Sequence, residues 1–163
     1  VASRGLGDVY KRQVEDDELI VAFLDMVENH KMIVENSGLL TVAALKHLGV
    51  KDKRVVSILS GGNMDVITMS SVVQQGLIFR DRIFTVSVLL PDKPGELAKV
   101  AQTLADVQGN VIKLEHNQFV TTNRSAAVEL RITLECFGTE HKEQIIAALE
   151  KKGYKPRIVR TMI

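Results

Sequence analysis

The sequence is poor in cysteine and in aromatic residues: it has one cysteine, no tryptophan and 4% aromatics in 163 residues. With Cys136 alone, the chain can form neither an internal disulfide nor a metal cage built from several cysteines. Such sparse use of cysteine is typical of a reducing compartment. The scarcity of aromatics argues against an RNA-binding module, which stacks bases on paired aromatic side chains. No apolar run approaches the ~20 residues of a membrane span. We therefore expect a soluble, cytoplasmic protein without a membrane partner.

The charge is nearly balanced, with 21 Lys and Arg against 20 Asp and Glu. Such a balance gives no electrostatic signature of nucleic-acid or anionic-lipid binding. The hydrophobic share of 45% and the charged share of 25% are those of an ordinary globular protein. The four histidines have no close histidine or cysteine at ligand spacing, so no metal site is expected. Composition therefore favours a compact enzyme or ligand-binding domain.

Residues 1–13 differ from the rest of the chain. The stretch VASRGLGDVYKRQ has neither helical nor strand periodicity and starts with Val1. The run GLGDVYKRQ resembles translated sequencing-adaptor read-through. We expect a leader that is either non-native or disordered, since chain termini are often disordered.

Residues 14–80 form a first region in which helical periodicity predicts helices over 16–29 and from about 36 to 48. Between 55 and 59, the apolar run VVSIL predicts a strand buried on both faces, as in parallel sheets. It leads into Ser60-Gly61-Gly62-Asn63, and a further helix is expected to start at Asp65 or Thr68 and to end near Gln75. One strand is too little for a self-sufficient core, so this region is expected to be an α/β fragment of a larger domain.

Residues 81–163 follow a different pattern, whose order of elements predicts an α+β ferredoxin-like βαββαβ domain. Strands are expected at 84–90, 111–120, 128–134 and 154–162. One helix is expected from Pro94, in its first turn, to Leu104. A second is expected to be capped by Thr139 and to end near Gly153. The acidic and basic residues of the third strand (Glu129, Arg131 and Glu135) are expected on a solvated or sheet-pairing face, and Asn123-Arg124 in a hairpin turn.

Two motifs carry a resemblance to a known family. The stretch VENSGLL (34–40), together with VVSIL running into SGGNMD (60–65), resembles the end of the catalytic domain of threonine ammonia-lyase. This family has fold type II and depends on pyridoxal phosphate. LPDKPGELAKV (90–100) with the βαββαβ order resembles an ACT domain, the amino-acid-sensing module attached to such enzymes. The resemblance covers 14–163 and implies that the parent protein converts L-threonine to 2-oxobutanoate and ammonia.

For the cofactor, the resemblance implies binding by Ser60, Gly61, Gly62, Asn63 and Glu35. The serine hydroxyl would bond the pyridine nitrogen of pyridoxal phosphate, and the glycines would allow close backbone approach. Asn36 and Ser37 stand where many members have alanine and glycine after the glutamate. Read as residues alone, the SGGN stretch could be a plain strand-to-helix turn and Glu35 a strand-end or capping carboxylate.

The family's covalent cofactor lysine and its glycine-rich phosphate loop do not occur in this chain. Because the chemistry needs that lysine, we expect the chain alone to be catalytically inactive and to hold no catalytic residue. The alternative hypothesis is a stand-alone ACT-type sensor of amino acids without catalysis.

For the ACT half, the resemblance implies an amino-acid effector site, often across a subunit interface. The matching residues are Asp92, Lys93, Pro94, Gly95 and Glu96, then Asn110 and Val111 at the second strand. Helix N–H groups could receive the effector carboxylate, and Asp92 or Glu96 its ammonium group. The simpler interpretation is a capped helix start beside a turn. His116 and Asn117 could line the pocket, lie at an interface or be ordinary exposed residues, and self-association into a dimer or tetramer is expected.

Overall fold

The computed structural model describes residues 12–117 and 128–162. The chain divides into two compact units, Val1–Gly76 and Leu77–Ile163. Most of the expected leader, the end of the second predicted strand and the Asn123-Arg124 turn lie outside the described residues.

The first unit is helical in the residues described. Helix α1 spans Asp16–Asp25 and runs into a π-helical turn, Met26–His30, which ends at Lys31 with a left-handed φ of 56°. Helix α2 spans Asn36–Ala43 and continues as a 3₁₀ turn, Ala44–His47. Helix α3 covers Val66–Phe79, of which the last three residues are assigned to the second unit.

These helices enclose a small core made of the apolar faces of α1, α2 and α3. Its members with the least exposure are Phe23 and Leu39, both at 0%. Glu18 adds a polar tie between α1 and the 3₁₀ turn, because its Oε1 lies 2.8 Å from Lys46 Nζ and 2.8 Å from His47 Nε2. These bonds lower the pKa of Glu18 to about 2.

The predicted strand at 55–59 is wrong, since these residues adopt no regular secondary structure. Val56 and Ile58 are 87% and 73% exposed instead of buried on two faces. A strand needs a hydrogen-bonded neighbour, and no strand is found in the described residues of this unit. The expected α/β character is therefore not seen here. The helix after the SGGN stretch also extends beyond Gln75, to Phe79.

The second unit contains a four-stranded antiparallel sheet in the order β2-β3-β1-β4. Its elements follow the predicted βαββαβ order. They are β1 Ile83–Leu90, α4 Glu96–Asp106, β2 Asn110–Asn117, β3 Val128–Glu135, α5 Thr139–Lys151 and β4 Arg157–Val159. The ferredoxin-like architecture expected for this region is thus confirmed.

Strand alternation builds the core of this unit. Alternate residues of β1 and β3, such as Val86 and Ile132, pack with Val100 of α4 and Ile145 of α5, and all four are 0% exposed. Cys136 belongs to the same core at 3% exposure. Its thiol donates a hydrogen bond to the carbonyl of Asp81, at 2.8 Å, and burial raises the pKa of that thiol.

Three local expectations in this unit need correction. Glu129 is 8% exposed and not solvated, because its carboxylate accepts a 2.6 Å hydrogen bond from Ser87 Oγ and lies beside Arg131. Pro94 precedes α4, whose N-cap is Gly95 with a left-handed φ of 90°. Thr139 is the first residue of α5 and not its cap, since its hydroxyl donates to Asp81 Oδ2 at 2.9 Å.

Candidate functional site

The turn between β1 and α4 forms one wall of a cavity of about 310 Å³. Its lining combines the turn with one residue each from β2 and β3: Leu90, Pro91, Asp92, Lys93, Pro94, Gly95, Glu96, Leu97, His116 and Val128. All five residues that sequence reasoning placed in the turn line this cavity. The volume lies at the lower end of the ~300–1,000 Å³ range of small-molecule pockets.

Backbone bonds fix the shape of this turn. The Lys93 N–H donates to the Pro91 carbonyl at 2.8 Å, and Gly95 accepts at its carbonyl from the Lys99 N–H at 3.1 Å. The left-handed φ of Gly95 is costly for any residue with a Cβ. The first turn of α4 keeps backbone N–H groups without acceptors inside the helix.

The two acidic residues of the turn differ in what they can do. Glu96 Oε1 lies 2.7 Å from Lys99 Nζ, and this ion pair raises the pKa of Lys99. Asp92 is exposed and has no hydrogen-bond or ion-pair partner within 12–117 and 128–162. Of the two, Asp92 is therefore the carboxylate that is available to a cationic group of a ligand.

Asn110 and Val111 do not lie at this cavity in one chain. They pair with Glu135 and Leu134 at the opposite end of the sheet, and the Asn110 amide donates to Glu135 Oε2 at 3.0 Å. β1 and β2 both run antiparallel to β3, so His116, and not Asn110, lies at the turn end. Asn110 is six residues from His116, or about 20 Å along the strand. Sequence reasoning offered His116 as a possible pocket residue, and it lines the cavity. It did not assign Val128, which strand register could have placed here.

The residues predicted to bind the cofactor come together in part in the first unit. The Glu35 N–H donates to the Gly61 carbonyl at 3.2 Å, while Ser37 Oγ donates to Glu35 Oε1 at 2.6 Å. Gly61 has a left-handed φ of 79°, and a Cβ there would collide with the Glu35 carboxylate. Gly38 packs equally closely under the Ser60 carbonyl. These close approaches explain why glycine stands at 38 and 61.

The rest of the SGGN stretch forms the approach to α3. The Met64 N–H donates to the Gly62 carbonyl at 3.0 Å, and Asp65 Oδ1 accepts from the N–H groups of Ile67 and Thr68. Bonds from Thr68 lower the pKa of Asp65. Ser60 is exposed, and its hydroxyl has no hydrogen-bond partner within the described ranges. An accessible hydroxyl beside side-chain-free backbone fits hydrogen bonding to the ring nitrogen of a flat heterocycle such as pyridoxal phosphate.

The ACT domain profile matches residues 84–153, which contain the turn, both helices and, apart from Ile83, the first three strands of the sheet. These residues form an ACT domain. The chain is also 36% identical over 143 residues to the L-threonine ammonia-lyase of Geobacter sulfurreducens, covering 86% of this chain and 36% of that protein. The L-threonine ammonia-lyase of Thermotoga maritima is 32% identical over 90% of this chain and 37% of its own length.

A third relative is the L-threonine dehydratase biosynthetic IlvA of Pasteurella multocida, which is 30% identical over 86% of this chain and 27% of that protein. The chain is thus a relative of the threonine ammonia-lyases that carries an ACT domain. It spans 27–37% of the length of these three curated relatives.

The residues that the structure describes contain neither a membrane-spanning helix nor a cluster of metal ligands. No helix among them is long and apolar enough to cross a membrane. No group of three or more histidine, cysteine or acidic side chains within these residues is arranged to hold a metal ion.

Proposed function

We propose that this chain is the ACT-containing part of a threonine ammonia-lyase, whose activity is regulated by an amino acid bound at the β1–α4 turn. The observation that carries the proposal is the cavity at Asp92–Glu96 in an ACT domain whose chain is related to threonine ammonia-lyases. Effector binding would bias the parent enzyme between two states of unequal activity, a coupling typically worth ~1–3 kcal/mol.

The chemistry of the cavity suits a small zwitterion. The N–H groups of the first turn of α4 favour a carboxylate, since they point outward at the positive end of the helix dipole. The unpaired Asp92 suits an ammonium group, and Leu97 and Val128 offer apolar contact to an aliphatic side chain. Glu96 contributes less, because Lys99 already neutralises it.

Self-association through β2 would bring Asn110 and Val111 to the effector. β2 is an edge strand, and its exposed apolar residues include Ile112 and Leu114, at 46% and 41% exposure. Antiparallel pairing of β2 with the same strand of a second copy would place Asn110 of the partner subunit beside His116. The site would then be completed across an interface, and the dimer would also cover an edge that is otherwise prone to pairing.

For the first unit we propose that it belongs to the catalytic domain of the parent. Its exposed apolar side chains support this, since Val56, Ile58, Val66 and Ile67 are each 73–87% exposed. In the parent, Ser60 would hold the ring nitrogen of pyridoxal phosphate, with Gly61 kept in place by Glu35. When bound, the cofactor supplies the electron sink for removing ammonia from threonine.

Calorimetric titration of the purified chain with isoleucine, valine, threonine and serine tests the effector site. We expect one of them to bind, and Asp92→Ala to weaken binding about ten-fold through the lost charge-assisted contact. Asp106→Ala, at the far end of α4, is the matched control and should leave affinity unchanged. Absence of binding by all four amino acids, or equal effects of the two variants, would contradict the proposal.

Sedimentation of the chain tests the β2 interface. Ile112 lies at the bulge of β2, where pairing with β3 is interrupted between Val111 and Lys113, and proline at an edge strand disfavours pairing with a second copy. We expect a dimer for the wild type and for Ile112→Thr, and a folded monomer for Ile112→Pro. A proline variant that remains dimeric would rule out this interface.

The cofactor proposal is tested on the chain and on the longer parent. The chain mixed with pyridoxal phosphate should show no new absorbance band and no release of ammonia from threonine. In the parent, Ser60→Ala should change the absorbance and fluorescence of the bound cofactor, whereas Ser57→Ala, three residues earlier, should not. A cofactor spectrum unaffected by Ser60→Ala would refute the assigned contact.

A further inference from the structure

The sheet of the second unit carries a second cavity, on the face opposite α4 and α5. Its floor is a row of one residue from each strand, in the order Lys113, Thr133, Thr85 and Val159. These residues face away from the helices, because Val86 and Ile132 beside them pack into the core. Glu115 and Arg131 of the next row, with Arg160 and Met162 beyond β4, complete a cavity of about 170 Å³.

The charges around this cavity leave one cation uncompensated. Lys113 Nζ lies 2.8 Å from Glu115 Oε1, and Arg131 Nε lies 3.2 Å from Glu129 Oε2. Arg160 has no ion-pair partner among the residues that the structure describes. Three cations therefore face two carboxylates, and the cavity favours an anion.

The hydrogen-bonding groups of the cavity are also incompletely used. Thr85 Oγ1 and Thr133 Oγ1 lie 3.0 Å apart and are 6% and 5% exposed as residues. One hydroxyl donates to the other, so one hydrogen remains available for a further acceptor. Arg131 Nε and Glu129 Oε2 are buried without a well-aligned hydrogen bond, despite their 3.2 Å separation. Arg131 lines the cavity, and its guanidinium carries further N–H donors in the planar arrangement that matches a carboxylate.

We propose that this cavity is a second ligand site, which binds a small aliphatic carboxylate. Arg160, Arg131 and the threonine pair would hold the carboxylate, and Val159 and Met162 would contact its short carbon chain. The volume is below the ~300 Å³ at which drug-sized pockets begin, which excludes a nucleotide. The apolar side chains distinguish this ligand from inorganic phosphate.

The test is a titration of the full 163-residue chain, followed by ¹H–¹⁵N NMR, with 2-oxobutanoate, L-2-aminobutanoate and inorganic phosphate as separate probes. We expect one or both carboxylates to shift the amide signals of residues 85, 113, 133 and 159 at millimolar concentrations. The two carboxylates distinguish a keto acid from an amino acid, while phosphate reports general anion binding. Equal shifts with phosphate, or no shift with either carboxylate, would overturn the proposal.

Two arginine variants sharpen this test. Arg160→Gln should raise the dissociation constant about ten-fold, as expected for losing a charged hydrogen-bond donor. Arg157→Gln is the matched control, because Arg157 pairs with Ser87 on the same face of the sheet but does not line the cavity. Equal loss of affinity in both variants would indicate general charge attraction and refute the site.

A third variant separates this site from the effector site. Asp92→Ala should leave carboxylate binding at the sheet face unchanged, because Asp92 belongs to the other cavity.

Arg131→Lys keeps the charge but loses the planar fork, and it should weaken binding while the chain remains folded. If Arg131→Lys binds like the wild type, Arg131 does not contact the ligand and the proposed geometry is wrong.

Discussion

The two units of this chain differ in how they bury apolar side chains. In the ACT domain, alternate side chains of the central strands pack against the two helices, and they are at or near 0% exposed. The first unit has a core around Phe23 and Leu39, yet Val56 and Ile67 are more than 80% exposed. Similar hydrophobic content thus produces a closed core in one unit and an incomplete one in the other, depending on whether each apolar segment has a partner.

The largest expected effect comes from separating the units. We expect residues 77–163 alone to fold cooperatively, with dispersed NMR signals and a thermal unfolding transition, because their core is closed. Residues 12–76 alone should show neither, since their buried apolar area is too small to offset chain entropy. Cooperative unfolding of the 12–76 peptide would show that the first unit has a self-sufficient core.

A matched pair of isoleucines gives the next effect. Ile132→Ala should cost about 2–5 kcal/mol, because Ile132 is 0% exposed and its loss leaves a cavity. Ile58→Ala should change the unfolding free energy by less than about 0.5 kcal/mol, because Ile58 is 73% exposed. Urea denaturation of both variants measures the difference. Similar losses at the two positions would mean that 55–59 is buried in solution.

A matched pair of glycines is expected to differ less. Gly95→Ala should cost about 1–2 kcal/mol, because its left-handed φ of 90° disfavours a Cβ even though space is open around it. Gly49→Ala should be close to neutral, since a Cβ there meets nothing within 4 Å and no positive φ is imposed. Thermal unfolding compares the two variants. A neutral Gly95→Ala would show that the turn at the cavity is easily remodelled.

The smallest expected effects concern acid stability. The two units differ in the pH range over which this stability is lost. The pKa of Glu18 is about 2 against an ordinary value of 4.5, so its bonds stabilise the first unit fully above about pH 4.5. That stabilisation is lost as the pH falls toward 2, and Glu18→Gln should remove this pH dependence. Hydrogen exchange of the amides in α1, followed at several pH values, provides the measurement.

Asp81 is the counterpart in the second unit, which contains the ACT domain. The Lys142 ammonium, 2.6 Å from Asp81 Oδ1, holds the pKa of this carboxyl below 3.8. Its contribution is therefore present above about pH 3.8 and is lost below it. Solvent screening limits that contribution to about 1 kcal/mol. Asp81→Asn should destabilise the ACT domain at pH 7 and match the wild type in strong acid; a constant difference across pH would exclude this ion pair as the cause.

Sequence patterns predicted the ACT half well, because its elements alternate or repeat over their whole length and find partners within the same chain. The strand at 55–59 was predicted from an equally apolar run, but periodicity cannot reveal whether a neighbouring strand exists. Similarly, Asn110 and His116 lie on one short strand, and only its register shows which of them lies at the turn. Burial of Glu129 could not be predicted either, because it depends on Ser87 from a distant part of the chain.

The lone thiol of Cys136 can serve as a probe of local opening. Cys136 lies between β3 and α5, and its N–H and thiol bond the carbonyls of Arg82 and Asp81, where β1 begins. A buried thiol of raised pKa reacts with an alkylating reagent only when this junction opens. The labelling rate of the wild-type protein therefore measures how often the junction at the start of β1 opens. Because there is no second cysteine, each modified molecule records one such event.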